Sequence, residues 1–378
     1  MIDYYTNPLD RHGLEAKTFV EHIRKRPGMY IGKRGDGSCE YDGLYTLFTY
    51  ALESVLENTP IEKIVHINST DKNIYIDCKL AECPDSFFPQ NEKLQSFYSS
   101  GYMISAIAAL SSEYILEIST DESSMIHRFV YKRGSINSDE TIKAEPTKDV
   151  ISVRFTPDEL IFDKDFYFRN EFINEYIKRY STVNPEIKFI YNGTEILSPH
   201  GMKDFIEWKF DDLLLPTIHI SGKGIDLAIN AARNLNGKVK NQYTSFNNTW
   251  NGYYSPETKS FITSTVTTLN NYYGLSLNIE NYYGLMLQPA DEHNPKEFYM
   301  HEERFPGNLV GALWIKINDP LYNISQGRTL SSKWLDKVQT ITVEDFVSKF
   351  IETELPKYLN ANPESAKRLK DILMKKQL

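Results

Sequence analysis

The sequence predicts an α+β protein of two domains, and three observations carry that expectation. Its 378 residues exceed the usual span of one domain, and dividing by roughly 150 residues gives two or three. Amphipathic helical stretches and β-rich stretches alternate irregularly in both halves, without the strict succession of a doubly wound sheet. Hydrophobic residues make up 41% and charged residues 25%, with Gly 19 and Pro 17; this is globular composition and excludes collagen-like, coiled-coil and wholly disordered chains.

The elements follow in order. Residues 15–26 have helical patterning, and RPGMYIG at 26–32 should then form an extended, turned segment, because Pro27 and two glycines do not continue a helix. GLYTLFTYALESVLEN places Leu44, Leu47, Phe48, Ala51, Leu52, Val55 and Leu56 at three- and four-residue spacings, the stripe of an amphipathic helix. IEKIVHINS and NIYIDC flank the polar turn Thr70-Asp71-Lys72 and read as a hairpin. SGYMISAIAALSS is a small-residue helix, and EYILEIS, IHRFVYKR and DVISVRF are strands separated by turns at Asp121-Glu122-Ser123 and around Gly134. A helix over 168–181, a hairpin turning at Asn192-Gly193 and a helix beginning near His200 lead to the strand LPTIHIS. We place the domain boundary near residue 213, giving domains 1–212 and 213–378.

The second half holds strands near 225–230 and 240–247, a helix near 258–272 and a buried strand at LVGALWIKI. Thr342 with Asp345 forms a capping pattern, and Asn362-Pro363-Glu364 opens a last helix carrying Lys367, Arg368, Lys370, Lys375 and Lys376. Those cations read first as a solvated helix face, with DNA contact as the minor reading.

A net charge of −9 repels phosphate on average, so a dedicated DNA-binding module is not expected. No apolar run reaches the roughly 18 residues that span a bilayer, and the first residues lack the apolar core of a signal peptide, which points to a cytoplasmic chain. Cys39, Cys78 and Cys83 show no CxxC pair or His–Cys cluster; all three read as reduced thiols, and no metal site is expected.

Six ordered segments resemble one family: EHIRKRPGMYIGKRGDGS, VRFTPDELIF, YNGTEILSPHGMKDF, SFNNTWNG with the helix FITSTVTTLNNYY, LVGALWIKINDP, and LNANPESAKRLKDIL. Together they resemble the ATPase region of B-type subunits of type IIA topoisomerases, the B subunits of DNA gyrase and topoisomerase IV, with the closer likeness to topoisomerase IV. The resemblance implies a Bergerat-type (GHKL) α/β sandwich followed by a transducer domain like domain 2 of ribosomal protein S5. It also implies ATP and Mg²⁺ as cofactors, an N-terminal arm for homodimer contact, here with Ile2, Tyr4 and Tyr5, and a topoisomerase subunit as partner. The chain stops where that family continues into a DNA-cleaving domain, so a short paralogue and an excised fragment both fit.

The residues that the resemblance assigns to ATP chemistry are replaced. The catalytic Glu and Mg²⁺-binding Asn stand four apart on one helix face; their positions here hold Tyr50 and Ser54. Tyrosine, with an ordinary pKa near 10, is no carboxylate base, and a lone hydroxyl is a weak cation ligand. Glu53 and Glu57 on the same helix are weak substitutes, read as solvated carboxylates. The DxGxG motif that binds adenine aligns Cys78 with its Asp, Leu80 and Glu82 with its glycines, and puts Asp77 on the opposite strand face. In the shortened lid only Gly101 fits a glycine position, with Tyr98 and Met103 replacing others. Ile151 stands for the supporting Thr, and the QTK lysine is absent, with Gln326 and Arg328, or Ser325 and Gly327, depending on the alignment of the loop.

The expectation is therefore a degenerate ATPase, with no catalytic residue assigned, acting as a scaffold or regulatory partner. The alternatives are an active ATPase half of a type II topoisomerase using Glu53 or Glu57, and a pocket turned to another small ligand.

Overall fold

The computed structural model describes residues 19–56, 60–80, 100–120, 125–143, 150–233, 243–247, 256–288, 296–306, 308–316 and 341–375. The chain divides into two compact units, Met1–Ile177 with Ile187–Ile196, and Lys178–Glu186 with Leu197–Leu378. Residues 178–186 and 197–212 thus group with the second half of the chain. The expected N-terminal arm, Glu57, Glu82, Cys83, Tyr98, Gln326 and Arg328 lie outside the described residues.

The first unit contains α1 (Phe19–Lys25), α2 (Gly28–Ile31), α3 (Gly43–Leu56), β1 (Pro60–Ser69), β2 (Ile74–Leu80), α4 (Ser100–Leu110), β3 (Ser111–Thr120), β4 (Met125–Lys132), β5 (Ser135–Lys143), β6 (Val150–Pro157), the start of α5 (Asn170–Val183), β7 (Lys188–Tyr191) and β8 (Thr194–Ile196). Its strands form an eight-stranded sheet in the order β5-β4-β3-β6-β2-β1-β7-β8. Only the β1–β7 pairing is parallel; the other neighbours run antiparallel. Helices α3 and α4 pack against each other and over β2, β3 and β6.

Two expectations fail here for physical reasons. RPGMYIG is not extended throughout: Pro27 has φ −57° and ψ −34°, helical values that let it begin a turn over Gly28–Ile31, since the first position of a helix needs no N–H. Strand β5 was not expected after Gly134, because SINSDETIK lacks an apolar alternation; every one of its residues except Ser138 is exposed, and pairing with β4 rather than burial defines it.

The second unit contains α6 (Met202–Lys209), β9 (Ile218–Gly222), β10 (Ile225–Ala231), β11 (Tyr243–Asn247), α7 (Pro256–Tyr273), β12 (Glu280–Gln288), β13 (Lys296–Arg304), β14 (Leu309–Ile315), α8 (Val343–Ala361) and α9 (Pro363–Met374). A four-stranded sheet runs β11-β14-β10-β9, and β12 pairs with β13 as a separate ribbon that the sequence did not announce. Strand β10 is buried along its whole length and divides its side chains by the two-residue alternation of a strand. Ile225, Leu227, Ile229 and Ala231 join one core with Phe261, Val347, Ile351 and Leu369 of α7, α8 and α9. Ala228 joins a second core with Met202, Phe205 and Ile206 of α6. The expected cap at Thr342 forms, its side chain accepting from the Asp345 amide at 3.0 Å.

Candidate functional site

The described residues that sequence reasoning singled out lie on α3, α4, β2 and β6, elements that pack on one another. On α3, Gly43, Leu44, Tyr45, Leu47, Phe48, Ala51, Leu52, Glu53, Ser54 and Val55 are all buried. A helix buried on so much of its circumference is covered on several sides. Here α2, α4 and the sheet contribute, and the Tyr45 ring meets Phe168, Phe172 and Tyr176.

That enclosure corrects one expectation. Glu53 is not a solvated carboxylate; its relative exposure is 3%. One residue further, the Ser54 hydroxyl donates back to the Ala51 carbonyl at 2.8 Å, within its own helix. The Tyr50 hydroxyl donates to the Tyr30 carbonyl of α2 at 2.7 Å, so the residue at the position of the catalytic carboxylate braces α3 against the RPGMYIG segment. The Tyr30 hydroxyl in turn shares a hydrogen bond with His22 Nδ1 of α1 at 2.6 Å.

On the sheet, Cys78 of β2 faces Val65 of β1 on one side and Ile151 of β6 on the other, and Ile151 faces Ile118 of β3. All four are buried, with exposures from 0% to 2%. Sequence reasoning named Cys78 and Ile151 separately; the register makes them neighbours in one apolar row. Burial, with a lesser contribution from the Asp77 charge, pushes the Cys78 thiol up to about 12, so it is neutral at pH 7 and is no nucleophile.

Asp77 lies one residue away on the other face, opposite His66 and Ser152. Partial burial raises its carboxyl above the usual range, while the facing His66 opposes that shift. Met103, at a position assigned to a lid glycine, is buried in α4. Gly101 falls in the first turn of α4, so the only matched lid glycine belongs to a helix. Leu80 ends β2, with its Cα opposite Pro60.

Along this row the side chains present hydrocarbon and a thiol, and on α3 the hydroxyls of Tyr50 and Ser54 donate to backbone carbonyls. The described residues also contain no group of three or more His, Cys, Asp or Glu side chains placed to hold a metal ion.

Known proteins decide the lineage. The B subunit of topoisomerase IV from Borreliella burgdorferi is 26% identical over 266 residues, covering 64% of this chain and 43% of that protein. The B subunit of DNA gyrase from Thermotoga maritima is 24% identical over 393 residues, covering 94% of this chain and 57% of that protein. This chain is a homologue of type IIA topoisomerase B subunits. It spans about half the length of the curated relatives it matches, or less. No protein-family model matches it.

Among solved structures, the 43K ATPase domain of Thermus thermophilus gyrase B, described in complex with an aminocoumarin, superposes with a TM-score of 0.63 at 18% identity, covering 95% of this chain and 96% of that one. The gyrase B subunit of Myxococcus xanthus gives a TM-score of 0.66 at 17% identity, over 94% and 99%. The chain therefore has the fold of the GHKL gyrase B ATPase region, as the resemblance implied. Among the described residues, no helix is long and apolar enough to cross a membrane.

A signal missed in sequence reasoning was the completeness of α3. Glu53 falls opposite the aliphatic stripe, so periodicity assigns it to an outer face. The aromatics Phe168, Phe172 and Tyr176 that help cover α3 lie more than a hundred residues later.

Proposed function

We propose that this topoisomerase B-like chain is a non-hydrolysing scaffold or regulatory partner whose former ATP site has become core. The observation that carries the reading is the buried row Val65–Cys78–Ile151–Ile118, which sets a thiol and a methyl-bearing side chain where the resemblance calls for an Asp and a Thr. The direction of the Tyr50 and Ser54 hydroxyls toward backbone carbonyls supports it. The buried Glu53 stands at neither of the two helix positions that the resemblance assigns to hydrolysis, so no observation favours the active-ATPase alternative.

In this reading residues 1–212 form the GHKL-like domain and residues 213–378 the transducer-like domain. The protein works in the cytoplasm, as a homodimer or with a topoisomerase subunit, through its surfaces and not through turnover. Two measurements test the proposal on the full chain. Calorimetry with Mg·ATP should give no binding isotherm at micromolar concentrations, and phosphate release should stay at the level of buffer. Stoichiometric micromolar binding, or turnover abolished by Glu53→Gln, would refute it.

A further inference from the structure

Helix α1 is fastened to the first unit largely by polar contacts. Of its seven residues only Ile23 is buried, and a helix of two turns is not stable by itself. Arg24 makes two of the contacts: Nη1 donates to the Ala109 carbonyl in the last turn of α4 at 2.6 Å, and Nη2 donates to Asp158 Oδ2 at 2.7 Å. His22 Nδ1 shares its hydrogen bond with the Tyr30 hydroxyl, and Phe19 meets the Tyr30 ring edge-on. Val20 Cγ1 occupies the space beside Gly134 in the β4–β5 turn, 2.4 Å from where a Cβ there would lie.

The chain that follows α1 is held independently of it. Tyr30 and Ile31 of α2 are buried, and their carbonyls accept from the Tyr50 and Thr46 hydroxyls of α3 at 2.7 and 3.4 Å. The socket that receives Arg24 is also complete without it. Asp158 retains Arg133 Nε on Oδ2 at 2.9 Å and the Leu160 amide on Oδ1 at 3.1 Å, so departure of α1 strands no buried charge. The Ala109 carbonyl ends a helix and can accept from water once uncovered.

A segment with little buried apolar surface, closed by a few polar contacts and next to a firmly held element, opens separately from the core. We infer that α1 is a detachable strap, clasped by Arg24 and hinged at Pro27, which opens while α2, α3 and the sheet stay folded. Opening frees residues 19–26, about 26 Å of extended chain, and lengthens the tether of residues 1–18 by that amount. Those residues include Ile2, Tyr4 and Tyr5. A role for the strap in setting the reach of a dimer arm rests on the homodimer reading; the opening itself does not.

Hydrogen exchange of the full chain, read by mass spectrometry on overlapping peptides, tests the strap whatever the oligomeric state. Amides of residues 23–26 should be protected, yet should exchange about a hundredfold or more faster than those of α3, and their rate should be flat in sub-denaturing urea because local opening exposes little surface. Arg24→Met should speed their exchange about tenfold or more. Arg133→Met removes the other guanidinium from the same carboxylate without touching α1, and should leave their exchange unchanged or slower. Protection equal to that of α3, a urea dependence matching that of α3, unprotected exchange in the parent, or equal acceleration by the two variants would overturn the inference.

Discussion

Cys78→Asp returns to the strand the carboxylate that the resemblance assigns there, and its cost measures what surrounds position 78. The side chain is 2% exposed and lies between Val65 and Ile151, both fully buried. A carboxyl in such surroundings has its pKa raised by several units, up to about 3–5. From an unfolded value near 3.9, about three of those units are expressed at pH 7, which at 1.36 kcal/mol each is roughly 4 kcal/mol of destabilisation. The sign follows from proton binding: the folded variant holds its proton to higher pH than the unfolded chain, so the penalty grows as pH rises above about 4. At pH 4 only the cost of burying a neutral carboxyl should remain, about 1–2 kcal/mol. Urea denaturation of both proteins at pH 4 and pH 7 reads the difference directly, with Cys78→Val as a control for volume. If Cys78→Asp costs less than about 1 kcal/mol and the cost is flat with pH, position 78 faces water, as the wall of an open nucleotide cavity does, and the reasoning behind the scaffold proposal fails.

Two further outcomes concern stability. Asp158 is buried, and although burial pushes its carboxyl up, hydrogen bonds from Arg24, the Leu160 amide and Arg133 outweigh that and hold it below the usual range. Its stabilisation is therefore complete above about pH 4 and is lost as pH falls through the folded value; Arg24→Met should cost about 2 kcal/mol at pH 7, and the gap from the parent should narrow below pH 4 in urea titrations. In α7 the Thr265 hydroxyl is fully buried without a hydrogen-bond partner among the described residues. Thr265→Val keeps the shape and removes that desolvated group, so it should raise stability by about 1 kcal/mol in thermal unfolding, whereas a loss would mean the hydroxyl is satisfied.

Local chemistry made much of the fold legible. The apolar spacing from Leu44 to Leu56 fixed α3, the polar turn between Ile67 and Ile74 fixed the β1–β2 hairpin, and Thr342 with Asp345 fixed the start of α8. Each of these signals lies within a few residues of the structure it specifies. Strand β5 carried no such signal, because its polar residues pair with β4 without joining the core, and the α2 turn was hidden by the usual reading of proline as a breaker.

The amino-acid sequence alone determined which chemical groups this protein lacks: no carboxylate at residue 50, none at residue 78, and no glycine at residue 80, whatever the chain does in three dimensions. Only the tertiary structure decided what the replacements became. Strand register turned Cys78 and Ile151 into neighbours, and tertiary packing around α3 took Glu53 out of water. The reason is one of range: side-chain identity is fixed by each position separately, while burial and cross-strand partnership arise from contacts between segments far apart in the chain.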